Sequence, residues 1–136
     1  MTATNIEITV DFDGIVNNIK PSGGVYYGCD NYVTYSGKPV NGTTITLSKG
    51  YEYTFTLAAA NGDSCTATNL ENFQSQDNDL TFESDSNPLQ LKCLASKADS
   101  TGVDVTLTAE FNNQSGVGCT AQWDPRIVVT TKPPPP

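Results

Sequence analysis

Three stretches of this sequence alternate apolar and polar residues with a period of two. Ile6, Ile8, Val10 and Phe12 alternate with Glu7, Thr9 and Asp11. Tyr51, Tyr53, Phe55 and Leu57 alternate with Glu52, Thr54 and Thr56. Val103, Val105, Leu107, Ala109 and Phe111 alternate with Asp104, Thr106, Thr108 and Glu110. A strand sends successive side chains to opposite faces, so each stretch predicts a strand with one buried and one wet face. Sheets wetted on one side are commonly antiparallel. The pattern therefore predicts an all-β, two-sheet antiparallel sandwich.

Shorter strands are expected at Val25 to Tyr27, Tyr32 to Tyr35, Thr44 to Ser48, Leu80 to Glu83, Leu89 to Leu94 and Ile127 to Thr131. With the long ones they make about seven or eight strands. Lys49-Gly50 reads as a two-residue hairpin leading into the Tyr51 strand. Asp85-Ser-Asn-Pro88 reads as the turn between two others. Only Ala58 to Ala60 looks locally helical, and at most one helical turn is expected, within Asp63 to Gln76.

The 136 residues suit one domain, here residues 1–131. Residues 132–136, Lys132 followed by four prolines, form a tail of polyproline composition: a recognition segment, a stiff tether or a frayed end. The net charge is −8, and the seven basic residues are scattered. A nucleic-acid binder needs a basic stripe to displace phosphate counterions, so nucleic acid is excluded as a partner. Anionic membrane surfaces are disfavoured for the same reason, and no run of apolar residues is long enough to span a bilayer.

The N-terminal residues read as a strand that starts at once, without the apolar stretch of a secretory signal. Cytoplasmic location is the default reading. Bridged cysteines would move it outside the cytoplasm. Cys29, Cys65, Cys93 and Cys119 lack the close pairing of a zinc site. Two disulfides or four reduced thiols both remain open. Cys29 and Cys119, each after a glycine in turn-like sequence, suit a bridge better, whereas Cys93 sits on the apolar side of a strand.

The chain has no histidine. Ser-His-Asp and Cys-His catalysis and imidazole-based metal sites are thereby removed. Paired carboxylates could still serve glycoside hydrolysis, but a single tryptophan is thin lining for such a cleft. The chain is accordingly read as a non-enzyme without a resident cofactor. Asp11-Phe-Asp13-Gly14 begins like a calcium loop, but no glutamate closes it. Asp77, Asp79 and Asp85 offer hard oxygen ligands on loops, with calcium the alternative cofactor and solvated acidic loops the plainer reading. Tyr26, Tyr27, Tyr32 and Tyr35 cluster around Cys29 and, with Trp123, are the candidate binding residues. They would make a sugar- or protein-binding face, unless they are ordinary strand packing.

The C-terminal segment runs Trp123-Asp124-Pro125-Arg126-Ile127-Val128-Val129-Thr-Thr-Lys132-Pro133. An Asp-Pro followed by a short β run and another proline resembles the ending of the bacterial DP-EP family. The opening strand and Thr44-Ile-Thr-Leu-Ser-Lys-Gly50-Tyr are similar in style, although Lys132 stands where that family has glutamate. The resemblance implies an Ig-like β-sandwich of unassigned function. Independently, Pro125 fixes its own φ and lacks a ladder donor, so its strand should begin there or lie at an edge. The expected function is a non-enzymatic Ig-like module that binds a protein or assembles with itself. The alternative is a lectin-like, calcium-assisted carbohydrate binder.

Overall fold

The computed structural model describes residues 4–75 and 79–134, the side chains of 72–75 excepted. Asp77, one of the expected calcium ligands, lies outside the described residues, as do Met1–Ala3 and the last two prolines. In chain order come β1 (Thr4–Val10), α1 (Phe12–Asn18), β2 (Val25–Tyr26), a 3-10 turn (Cys29–Tyr32), β3 (Val33–Ser36), β4 (Val40–Asn41), β5 (Thr44–Ser48) and β6 (Glu52–Ala59). Then follow β7 (Thr66–Ser75), β8 (Leu80–Ser84), β9 (Gln90–Ala95), β10 (Asp99–Val103), β11 (Val105–Asn112), β12 (Gly118–Trp123) and β13 (Arg126–Thr130).

The chain is all-β in character, but the described residues hold thirteen strands in three sheets, where seven or eight strands in two sheets were expected. The first sheet runs β3-β1-β6-β9-β8, the second β10-β13-β5-β4, the third β2-β12-β11-β7. Pairing is mixed rather than antiparallel, because β1–β6, β5–β13 and β2–β12 are parallel. Alternation reports which face is wet and is silent on strand direction. Most of each alternating stretch does form strand with its apolar side inward, over residues 6–10, 52–57 and 105–111. Ile6 and Ile8 lie beside Phe55 and Leu57 in register, and all four are buried. Each such side chain contributes roughly 1.5–3 kcal/mol on burial. One core cluster extends from Ile6 to Val129 and contains Trp123, Tyr53, Phe12, Phe55 and Phe111.

The Lys49-Gly50 turn does not make a hairpin. It carries the chain from β5 in the second sheet to β6 in the first. The corner is held by backbone bonds from Lys49 N to Thr130 O at 2.8 Å and from Gly50 N to Ala95 O at 2.7 Å. Gly50 adopts φ +86°, open to glycine and strained for other residues. The Ser48 N–H donates to the Tyr53 hydroxyl at 2.7 Å across the corner. Ile45 and Leu47 in the second sheet and Tyr53 and Phe55 in the first are all buried in the same core. The other turn prediction, Asp85 to Pro88, does join antiparallel partners, β8 and β9.

Helix falls elsewhere than expected. Ala58 and Ala59 end β6, paired with Thr9 and Val10. Within residues 63–75 the main element is β7, paired along β11. The helix is α1, at the abandoned calcium-loop sequence. Asp11 caps it by accepting the Gly14 N–H at 3.0 Å. Phe12 and Ile15 are buried, and Val16 and Ile19 pack partly against the core, which is helical spacing. Phe12 therefore opens a helix instead of ending a strand, and its ring stacks on Phe111 at 4.4 Å. The Val103 strand likewise breaks at Asp104, after Gly102 at φ +122°.

Candidate binding site at the Asp124-Pro125 crossover

Asp124-Pro125 lies where the chain leaves β12 in the third sheet and enters β13 in the second. Pro125 is buried, and β13 begins directly after it, as the missing ladder donor requires. The 3-10 turn wraps this crossover. Gly28 enters it at φ +67°, a left-handed conformation that swings the following residues back over β12. Cys29 is then buried, with its thiol donating to Tyr26 O at 3.2 Å and its sulfur facing the Gln122 N–H. Burial pushes that thiol's pKa up, with the Gln122 N–H opposing and the Asp30 charge adding to the rise. The Asp30 carboxylate accepts the Asp124 N–H at 3.1 Å across 94 residues of sequence. Asp124 in turn accepts the Thr106 hydroxyl at 2.8 Å.

Two clefts flank this hydrogen-bonded seam. One, of about 280 Å³, is lined by Tyr27, Gly28, Thr106, Gln122, Trp123 and Asp124. The other, of about 260 Å³, is lined by Asp30, Asn31, Val33, Tyr35, Asp124 and Arg126, among others. Asp124 is common to both. Trp123 is 1% exposed, and its indole N–H is buried without a hydrogen bond. Tyr35 is its neighbour: the indole N–H is near enough to ease loss of the phenol proton, yet burial dominates and raises the tyrosine pKa.

The candidate aromatic residues are thus divided. Tyr27 is 56% exposed and lines the first cleft with Trp123, while Tyr35 lines the second. Tyr26 is buried against Phe111, and burial raises its pKa, assisted by the nearby Cys119 and Cys65. Tyr32 packs partly against the core, and its carbonyl accepts the Asp11 N–H at 2.9 Å. Trp123 is a buried neighbour of the cleft, not a surface ring. Asp30, Gln122 and Thr106 carry no signal in the sequence, because folding brings them together from distant segments.

All four cysteines are free thiols. Cys93 is buried in β9, and burial pushes its pKa up to about 12. Cys119, which like Cys29 was expected to suit a bridge better, is half-buried in β12. Cys65 belongs to the one group of three metal-type ligands found among the described residues, with Asp13 and Asp63. These groups already serve the fold. Asp63 accepts the Phe12 N–H at 2.7 Å and the Cys65 N–H at 3.0 Å. Asp13 accepts the backbone and hydroxyl donors of Ser64, which lower its pKa. Burial and the neighbouring carboxylates push the Cys65 thiol up to about 12, so it stays protonated. Asp79 and Asp85 are outside this group. Asp79 is 6% exposed and meets Asp99, whereas Asp85 accepts the Ser86 N–H at 2.7 Å within its turn.

The fold and crossover define a three-sheet β domain with a polar double cleft. No protein-family model matches the sequence, and no curated protein matches it. Among solved structures, the chain is similar to the inclusion body protein PixA from Burkholderia cenocepacia J2315, at 10% identity and a TM-score of 0.58. That likeness covers 96% of this chain and 97% of the other. It concerns the fold alone and says nothing about the DP-EP ending.

Proposed function

We propose that this chain is a non-enzymatic module, built on an Ig-like sandwich, that associates with copies of itself. The observation that carries this reading is the open end of the first sheet. There, among the described residues, β8 is the terminal strand and pairs in the sheet with β9 alone. An unpaired strand edge offers a row of backbone donors and acceptors to another chain. Two copies of β8 paired antiparallel about Phe82 place Thr81 of one opposite Glu83 of the other, with no like charges meeting within Leu80–Ser84. The fold's likeness to an inclusion body protein, along nearly all of both chains, supports the same reading. So does the absence of histidine and the use of Asp13, Asp63 and Cys65 in structural bonds.

Sedimentation velocity over a concentration series tests it. A dimer or larger species that grows with concentration is expected. Thr81→Glu, which sets like charges opposite each other, should remove it. A wild-type chain that stays monomeric throughout, or association untouched by Thr81→Glu, would overturn the reading.

A further inference from the structure

We propose that the double cleft at the Asp124-Pro125 crossover binds a small uncharged sugar. Its acceptors are fixed before any ligand arrives. Asp30 Oδ1 is held by the Asp124 N–H, and Asp124 Oδ1 by the Thr106 hydroxyl. The second oxygen of each carboxylate has no hydrogen bond among the described residues. Carboxylate oxygens only accept, and sugar hydroxyls are abundant donors. Gln122 adds an amide that both donates and accepts. Tyr27 supplies an apolar ring face with a polar tip, suited to the C–H side of a sugar.

The charge selects within this chemistry. Asp30 and Asp124 repel anionic sugars, while Arg126 in the second cleft offsets part of their charge and weakens the pull on cations. Size is also appropriate. The first cleft, of about 280 Å³, is near the lower end of the roughly 300–1,000 Å³ typical of small-molecule sites. Trp123 lines the first cleft, and its buried indole N–H lies next to the Tyr35 hydroxyl.

The test uses Trp123 as its own reporter, since the chain has one tryptophan and so one indole N–H resonance. The full chain is titrated with neutral monosaccharides and disaccharides, with glucuronic acid and with calcium alone, by nitrogen–proton correlation spectroscopy. At least one neutral sugar is expected to shift the indole and Gly28 resonances saturably. Asp124→Asn keeps the acceptor for Thr106, and Tyr27→Ala changes an exposed ring, so both variants should fold. Each should weaken binding about tenfold. No saturable shift with any neutral sugar overturns the proposal. So does binding by both variants as tight as the wild type's, a stronger response to glucuronic acid, or a response to calcium alone. Sedimentation reads self-association separately, so the two proposals fail independently.

Discussion

Replacing Asp63 by alanine tests how α1 is attached to the fold. The first N–H groups of a helix have no partner within it. Asp11 satisfies that of Gly14, and Asp63 reaches across from the end of the loop before β7 to take that of Phe12. Asp63→Ala removes both the Phe12 and Cys65 backbone bonds. Loss of a helix cap costs about 1 kcal/mol. The Phe12 N–H then lies stranded beneath a fully buried residue, which costs about 1–3 kcal/mol. The overlapping effects amount to about 2–3 kcal/mol. For a chain of this size that is a fall in Tm of roughly 8–12 °C. Urea unfolding followed by Trp123 fluorescence measures it, with the slope checked against wild type. Asp63→Asn keeps one oxygen for Phe12 and should lose about half as much. A loss below about 0.5 kcal/mol for alanine would refute the assignment of Asp63 as the clamp.

Two further outcomes follow from the ionisable groups. Asp99 has its pKa lowered to about 2, first by the Thr101 hydroxyl and then by Asp79 and backbone donors. Its folded value lies below the unfolded one, so its stabilisation is complete above about pH 4 and disappears as pH falls toward 2. Asp99→Asn should flatten that part of a stability-against-pH curve, and an unchanged acid limb would contradict the assignment. Among the thiols, Cys119 is the most accessible, while Cys93 is buried and held protonated. Maleimide labelling of the native protein, followed by mass spectrometry, should modify Cys119 first and Cys93 only on unfolding. Equal rates would show the core to be open.

The long strands were legible because a half-buried strand writes its two faces directly into the sequence, as in Ile6 to Val10. Helix α1 was hidden because Phe12 fits two patterns at once. It continues the alternation of β1, and it begins the Phe12, Ile15, Val16, Ile19 spacing. The Lys49-Gly50 corner uses the same residues as a hairpin, so local chemistry fixed a reversal and left the choice of sheet to core packing. Parallel pairing of β1 with β6 depends on where intervening chain passes, which alternation does not encode. At the crossover, Tyr27, Tyr35 and Asp124-Pro125 stood out in the sequence. Asp30, Thr106 and Gln122 did not, because an ordinary aspartate, threonine or glutamine gains its role only from neighbours brought by the fold. The surface role anticipated for Trp123 gave way to the core, where its large ring fills space between sheets.

The position of β13 bears on how the chain is made. It lies between β10 and β5, all of which are synthesised before it. Until residues 126–130 clear the ribosome, the second sheet is two separate halves with facing, unsatisfied edges. Ile45, Leu47 and Val103 then lack the strand they pair beside. Cotranslational folding can assemble β1 with β6 and β9, but it cannot seal this sheet. The nascent chain therefore passes through an interval of heightened exposure, and it is the insertion of one late strand that ends it.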